Sequence, residues 1–153
     1  MSYVNRVLQP GETVVYATTL HWLVYLRAIA LFAAAAGLAI AAQWVSGDGH
    51  RALLIAAALF GLLALSSGLR AWLRRVTTEL AVTDLRIIYK AGLLSRHTLE
   101  MNRSKVESVD VDQSLLVRLF GYGTIIVRGT GGSLEPMRNI KNPIEFRSHI
   151  TAR

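Results

Sequence analysis

The sequence predicts an α+β membrane protein, in which a two-helix transmembrane hairpin precedes an antiparallel β-domain closed by a C-terminal helix. Three observations carry this expectation. Two apolar stretches of hydrocarbon length lie back to back, the pattern then changes to short strands separated by turns, and a helix-start signature stands close to the C-terminus. Composition agrees. Of 153 residues, 52% are hydrophobic and only 18% charged, a balance tilted toward the membrane class. The chain has no cysteine, which excludes disulfides, thiolate metal sites and cysteine nucleophiles.

The expected organisation is an N-terminal segment 1–22, a hairpin 23–73 with helices at about 23–45 and 52–73, and a β-rich domain 74–153. From Leu23 to Val45 the only charged residue is Arg27, and from Ala52 to Leu73 it is Arg70. Each stretch exceeds the roughly 20 residues a helix needs to cross about 30 Å of hydrocarbon. The polar link Ser46–Arg51 is short enough to force the second helix back antiparallel to the first. A secretory signal fits poorly, because the first apolar run is longer than an h-region of about 7–15 residues. A buried helical pair of a soluble core is the competing reading.

Arg27 and Arg70 sit near the open end of the hairpin, where a long guanidinium stem can snorkel to headgroups, and Arg6, Arg74 and Arg75 flank the same end. The connecting link offers only Arg51, set against Asp48. The positive-inside bias therefore predicts a multi-pass membrane protein with both termini in the cytoplasm. Trp22, Tyr25 and Trp72 mark one interface and Trp44 the other. Ala33, Gly37 and Ala41 recur every four residues, as do Ala57 and Gly61, then Ala64 and Gly68. Such spacing lets helix backbones approach closely, either within the hairpin or between copies in a homo-oligomer.

In the β-rich part, strands are expected at 77–82, 86–90, 96–101, 106–112, 124–128 and 134–140, the last weakened by Pro136, which marks an edge or a bulge. Val109 and Val111 alternate with Asp110 and Asp112, one face buried and one wet. Ser114 can cap a short helical turn that stops at Gly121. Asn142-Pro143-Ile144-Glu145 has the form of a capping box with Pro at the first helical position, and Pro143, Phe146 and Ile150 would line the inner face of the helix that follows. Eighty residues make a marginal core. The strand-like run 13–19, preceded by the turn Pro10-Gly11, is expected to add a seventh strand.

Leu8-x-Pro10-Gly11-Glu12, His21-Trp22, Thr83-Asp84-x-Arg86, Tyr89-x-x-Gly92, Lys105-Val106-Glu107-Ser108-Val109, Asp112-Gln113-Ser114, Gly121-Tyr122-Gly123-Thr124 and Gly129-Thr130-Gly131-Gly132 follow in order along the chain. Together they resemble the bacterial pleckstrin-homology-like membrane proteins, the second bacterial PH family, also called YdbS-like. The resemblance spans nearly the whole chain. It implies a PH-like β-barrel or sandwich capped by a C-terminal helix, and a fold rather than an activity.

The glycine-rich stretch Gly121–Gly132 lacks Gly-Lys-Ser/Thr and a following long helix, so it is read as turns and not as a phosphate loop. Gly121-Tyr122-Gly123 falls outside membrane depth, which removes a potassium-filter reading. His21, His50, His97 and His149 form no metal-spaced pair and are expected at surfaces or interfaces. Asp110 and Asp112 form a solvated face rather than a catalytic pair. The sequon Asn102-Arg103-Ser104 lies on the expected cytoplasmic side. No catalytic, cofactor or metal site is expected.

The cations are the remaining lead. From Arg74 onward there are 13 Lys and Arg against 8 Asp and Glu, within a chain of net charge +7. Arg74, Arg75, Arg96, Arg103, Lys105, Arg128 and Arg138 are the candidate contacts to anionic lipid or to a protein partner, with a generic solvated surface as the alternative. Arg96, Arg103 and Lys105 are expected to cluster, and Arg128 and Arg138 to approach the turn 129–133. The expected function is a non-enzymatic, membrane-anchored binding or scaffolding module that engages itself, another protein or anionic lipid. The alternative is an accessory subunit of a membrane enzyme or transporter. Membrane lipids, a second copy or another membrane protein are the expected partners. Nucleic acid is not, because no aromatic stacking strip or recognition helix accompanies the charge.

Overall fold

Outside the two apolar stretches, segments rich in β-branched residues pair into two antiparallel sheets. The computed structural model of the chain describes residues 3–92, 97–130 and 134–152. It divides into two compact units, Met1–His21 with Arg74–Arg153, and Trp22–Leu73.

In the first unit, β1 (Val14–Thr18), β2 (Glu79–Thr83), β3 (Arg86–Ala91) and β4 (His97–Asn102) form one sheet in that order. β5 (Val106–Asp112), β6 (Tyr122–Gly129) and β7 (Leu134–Lys141) form the other. The strand expected from Thr77 starts instead at Glu79, because Thr77 still belongs to the preceding helix and the Thr77 and Thr78 hydroxyls both donate to the Arg74 carbonyl. The strand expected from Thr124 starts earlier, at Tyr122. Pro136 sits opposite Ile126 on β7, the last strand of its sheet, with a register break further along at Gly123/Ile125. An edge tolerates a residue that cannot donate to the ladder.

The run at 13–19 forms β1 and pairs with β2, with an irregularity between Val14 and Tyr16. The same segment then reaches the other sheet. Thr18 Oγ1 donates to the Lys141 carbonyl at 3.0 Å, Lys141 N–H to the Thr19 carbonyl at 3.2 Å, and His21 N–H to the Asn139 carbonyl at 2.9 Å, while Leu20 bridges Ile140. One N-terminal stretch therefore stitches the two sheets together. They remain two sheets: no barrel closes among the described residues.

On β6, Ile125 and Val127 alternate into the core, where Leu80, Val82, Ile87, Met137 and Ile140 are also buried. The C-terminal helix packs against β1, β2, β5 and β6, burying Pro143, Phe146 and Ile150 as its apolar spacing predicts. β2 is buried on both faces, since Ala81 on its outer side meets a short helix, α1 (Tyr3–Val7). Five residues carry no readable helical period. α1 exists because Val4 lands on Ala81 and Ile88, and because the Glu79 carboxylate accepts the N–H groups of Tyr3 at 3.1 Å and Val4 at 3.2 Å.

The second unit is a helical hairpin. A 3-10 turn, Trp22–Tyr25, leads into α2 (Leu26–Ala41), a second, Ala42–Trp44, ends it, and α3 (Asp48–Thr77) returns. The polar link is shorter than expected: His50 and Arg51 belong to the first turn of α3, led by Asp48, whose negative charge suits a helix N-terminus. Gly47 has φ +71, the His50 ring nitrogen Nδ1 lies 2.7 Å from the Ala42 carbonyl, and a Cβ on Gly49 would meet Val45 Cγ1 at 2.7 Å, so the turn is tightly closed. The run Trp22–Trp44 has a mean hydropathy of 2.1 and Asp48–Thr77 of 2.2. Both are long and apolar enough to cross a membrane, and their apolar windows are 0% and 6% buried.

Two further elements complete the first unit: α4 (Leu115–Leu119) and α5 (Pro143–Thr151). Asn142 precedes α5 with Pro at its start, but the expected capping box is not made. Asn142 adopts a left-handed backbone (φ 50, ψ 57) instead of the extended one that turns a capping side chain over the first N–H groups. Its amide instead donates to Glu145 Oε2 at 3.1 Å, and that same oxygen accepts the Tyr16 hydroxyl at 3.0 Å.

Candidate binding surface

A charged side chain is free to meet a ligand only if folding has not already engaged it. By that test the seven predicted cations separate. Arg103 lies on the 3-10 turn Arg103–Lys105 and is half-buried. Its guanidinium donates to the carbonyls of His149 at 3.1 Å, Ile150 at 3.2 Å and Ala152, which are the orphan acceptors at the end of α5. It is a helix cap, and its charge answers the negative end of that helix. Arg128 is exposed and pairs with Asp110 across β5 and β6 at 3.2 Å. Lys105 and Arg138 are exposed, as are Arg74 and Arg75 in the last turn of α3, and Arg75 is already close enough to bear on His21. Arg96 and the tip of the turn 129–133 lie outside the described residues.

The turn that Arg128 and Arg138 are expected to approach lies partly outside the described residues. Arg128 is paired with Leu134 at the start of β7, whereas Arg138 is four residues further along that strand, on the order of 13 Å away. The cleft beside Arg103 has a volume of about 610 Å³ and is also lined by Asp84 and Glu107, with Ser104, Ser108 and Thr151. One engaged cation and two carboxylates do not make an anion cradle. A smaller cleft of about 370 Å³ lies between α4 and α5, lined by Arg118, Gln113, Asn142, Glu145 and Ser148 among others.

The strongest electrostatic feature joins two motifs that are remote in sequence. Glu12, whose side chain is 0% exposed, accepts Arg86 Nε at 2.9 Å and the Arg86 terminal nitrogen Nη2 at 2.8 Å. Thr83 Oγ1 donates to the same carboxylate at 2.7 Å and Gln9 N–H at 2.8 Å. Arg86 also reaches Glu100 and the Val7 carbonyl. The hydrogen bonds from Arg86 outweigh burial and hold the Glu12 carboxyl down at about 2, and the same bonds push the Arg86 guanidinium up. This cluster is structural: it pins the N-terminal stretch to β2 and β3. Both motifs were visible in the sequence, but nothing along the chain says that they meet.

His21 corrects another expectation. It is buried within its unit, not at that unit's surface, and stacks on Tyr122 with centroids 5.3 Å apart. Burial lowers its pKa, and the charges of Lys141 and Arg75 lower it further. His149 is half-buried and stacks on Tyr16 at 4.6 Å, and His97 is exposed beside Tyr89. Among the described residues no group of three or more His, Asp or Glu side chains is placed to hold a metal ion. Asp110 and Asp112 are both exposed, as the alternation predicts.

Within the hairpin, the buried small residues are Ala35 and Ala42 on α2 and its following turn, and Ala64 and Ala71 on α3, a seven-residue repeat on each side. Gly68 faces Ala28, where an added Cβ would sit 3.7 Å away, while Ala57 and Gly61 are half-exposed. Ala33 and Gly37 are exposed and Ala41 half-exposed, and a Cβ on Gly37 would meet nothing within 4 Å. The α2 stripe therefore does not form the intramolecular contact: two residues back from Ala35 is about 200° around a helix.

No curated protein and no solved structure matches the sequence significantly. The family model for the bacterial PH domain matches residues 15–153, a span that takes in β1 from its second residue, the hairpin and the remaining strands. PH-like domains are generally binding modules without catalytic activity. On that match, which covers all but the first residues, the chain belongs to the bacterial PH domain family.

Proposed function

We propose that this protein is a membrane-anchored binding or scaffolding module. The hairpin crosses the bacterial inner membrane twice, both termini face the cytoplasm, and the PH-like unit is held at the inner face to engage a second copy, another protein or anionic lipid. The observation that carries this reading is the exposure of the apolar helices. Windows that are 0% and 6% buried lack the burial of a soluble core helix, and hydrocarbon is a solvent that suits them. Tethering at the bilayer raises the effective concentration for membrane-bound partners without any new contact. No metal or catalytic constellation competes with a binding role among the described residues.

Topology mapping tests it. The natural chain lacks cysteine, so Arg51→Cys and Lys105→Cys each carry a single reactive thiol. In intact cells a membrane-impermeant maleimide should label the first and not the second, and lysis should expose the second. Recovery of the chain in the soluble fraction without detergent would overturn the anchor. Native mass spectrometry of the detergent-extracted protein then separates self-association from capture of another protein. A second reading, the accessory subunit of a membrane enzyme or transporter, is favoured by the edge strands β4 and β5, which offer a ladder for strand addition.

A further inference from the structure

Soluble domains bury large apolar side chains; in the first unit Val14, Val15, Val76 and Leu85 are exposed elsewhere, but the three most exposed among the described residues, Leu115, Leu119 and Ile144, belong to α4 and the start of α5. On α4, Leu115 is 86% exposed and Leu119 79%, and Phe120, which follows, is also exposed. The i, i+4 spacing puts the two leucines on one face of the turn. Ile144, at the start of α5 across the small cleft, is exposed as well, and Arg118 stands exposed among them. An apolar cluster with a cation beside it is the composition of a segment that lies in a lipid headgroup layer.

Its place in the unit points the same way. Gly121 follows Phe120, and the next residue, Tyr122, stacks on His21. His21 is the last residue before the first apolar helical run, which begins at Trp22. The exposed turn thus stands beside the point where the chain leaves this unit for the hairpin. Cations outweigh the anion there: Lys141 and Arg75 bear on His21 and Arg118 lies within the turn, against Glu145 in the cleft.

We propose that Leu115, Leu119, Phe120 and Ile144 form a second, shallow membrane contact, in which this face of the PH-like unit inserts into the headgroup region of the anionic leaflet. The proposal rests on the anchored reading above. The hairpin supplies attachment, and the wedge supplies orientation, because a unit held by a tether and a wedge cannot tumble freely.

The test uses the full chain in nanodiscs of phosphatidylethanolamine and phosphatidylglycerol. Leu115→Cys, Leu119→Cys, Glu107→Cys and Phe32→Cys each receive one environment-sensitive NBD label. All four positions are exposed, so the label displaces no packing within either unit. The Phe32 label reports the anchor itself and should be quenched strongly by doxyl lipids. If it is not, the anchored reading fails and the wedge fails with it. With Phe32 quenched, the wedge is supported if labels at 115 and 119 emit blue-shifted light and are quenched by shallow doxyl lipids, while Glu107 at the far end of β5 is not. Water-like emission at 115 and 119 overturns it. So does blue-shifted emission without doxyl quenching, which would mean that a second copy or another protein covers the face.

Discussion

Glu12 and Arg86 stand 74 positions apart in sequence and share a two-pronged ion pair at 2.8 and 2.9 Å, with the Glu12 side chain 0% exposed. The pair explains how a stretch that precedes the hairpin becomes part of a domain that follows it. Replacing Glu12 with Gln leaves Arg86, 12% exposed, with one carboxylate fewer, and should cost about 2–4 kcal/mol. Thermal unfolding of the detergent-solubilised protein measures the loss, and limited proteolysis should show cleavage ahead of residue 20.

The same pair sets an acid limit. The folded-state pKa of Glu12 is about 2, against an ordinary value of 4.5, so its stabilisation is complete above about 4.5 and is lost as pH falls toward 2. The midpoint of denaturant unfolding should therefore fall between pH 5 and pH 2, and the fall should be shallower in the Gln variant.

His21 contributes at higher pH. Its folded pKa lies below the ordinary 6.5, so the unfolded chain takes up the proton first. Stability from the neutral, stacked ring is present above about pH 6.5 and declines as pH drops beneath it. His21→Phe keeps the stack on Tyr122 and cannot titrate. The variant should unfold with less pH dependence between 7 and 5 than the natural chain.

Arg103 makes a prediction opposite to that for a lipid-binding cation. Arg103→Ala should leave the carbonyls at the end of α5 without a donor from this side chain and destabilise the first unit by about 1–2 kcal/mol. Hydrogen exchange should rise in the last turn of α5. Lys105→Ala should change stability by under about 0.5 kcal/mol, as expected of an exposed surface position.

The hairpin can be tested by a matched pair of changes. Gly68→Leu would drive a branched side chain toward Ala28, where even a Cβ sits at 3.7 Å, and should loosen helix packing by about 1–3 kcal/mol. Gly37→Leu meets open space and should leave the monomer's melting point nearly unchanged. If α2 joins copies through the Ala33–Gly37 face, Gly37→Leu should instead lower the oligomer fraction by native mass spectrometry.

Much of the architecture was legible because it repeats along the chain. Alternation of Val109 and Val111 with aspartates, the punctuation by Asp84, Gly92 and Gly121, and the spacing of Pro143, Phe146 and Ile150 are local signals, and the matching strands and helix formed. Helix α1 was not legible, since Val4 acquires its role only by meeting Ala81 and Ile88. The state of the cations was not legible for a related reason. A count of Lys and Arg shows charge but not occupancy, and Arg103 and Arg128 are taken up by α5 carbonyls and by Asp110. Small-residue spacing could not say which face of α2 packs within the hairpin, where Ala35 and Ala42 are the buried ones and Ala33 and Gly37 are exposed.

The sequence by itself determined the two helices of hydrocarbon length, the strands to within about two residues and the helix after Asn142, because hydropathy and backbone preference act over neighbouring residues. Tertiary structure alone decided that residues 12–21 tie both sheets together, that Glu12 receives Arg86, and that His21 is buried against Tyr122. Those choices depend on groups brought together across the whole hairpin, and their strength comes from exclusion of water at the junction, which exists only once the unit has closed.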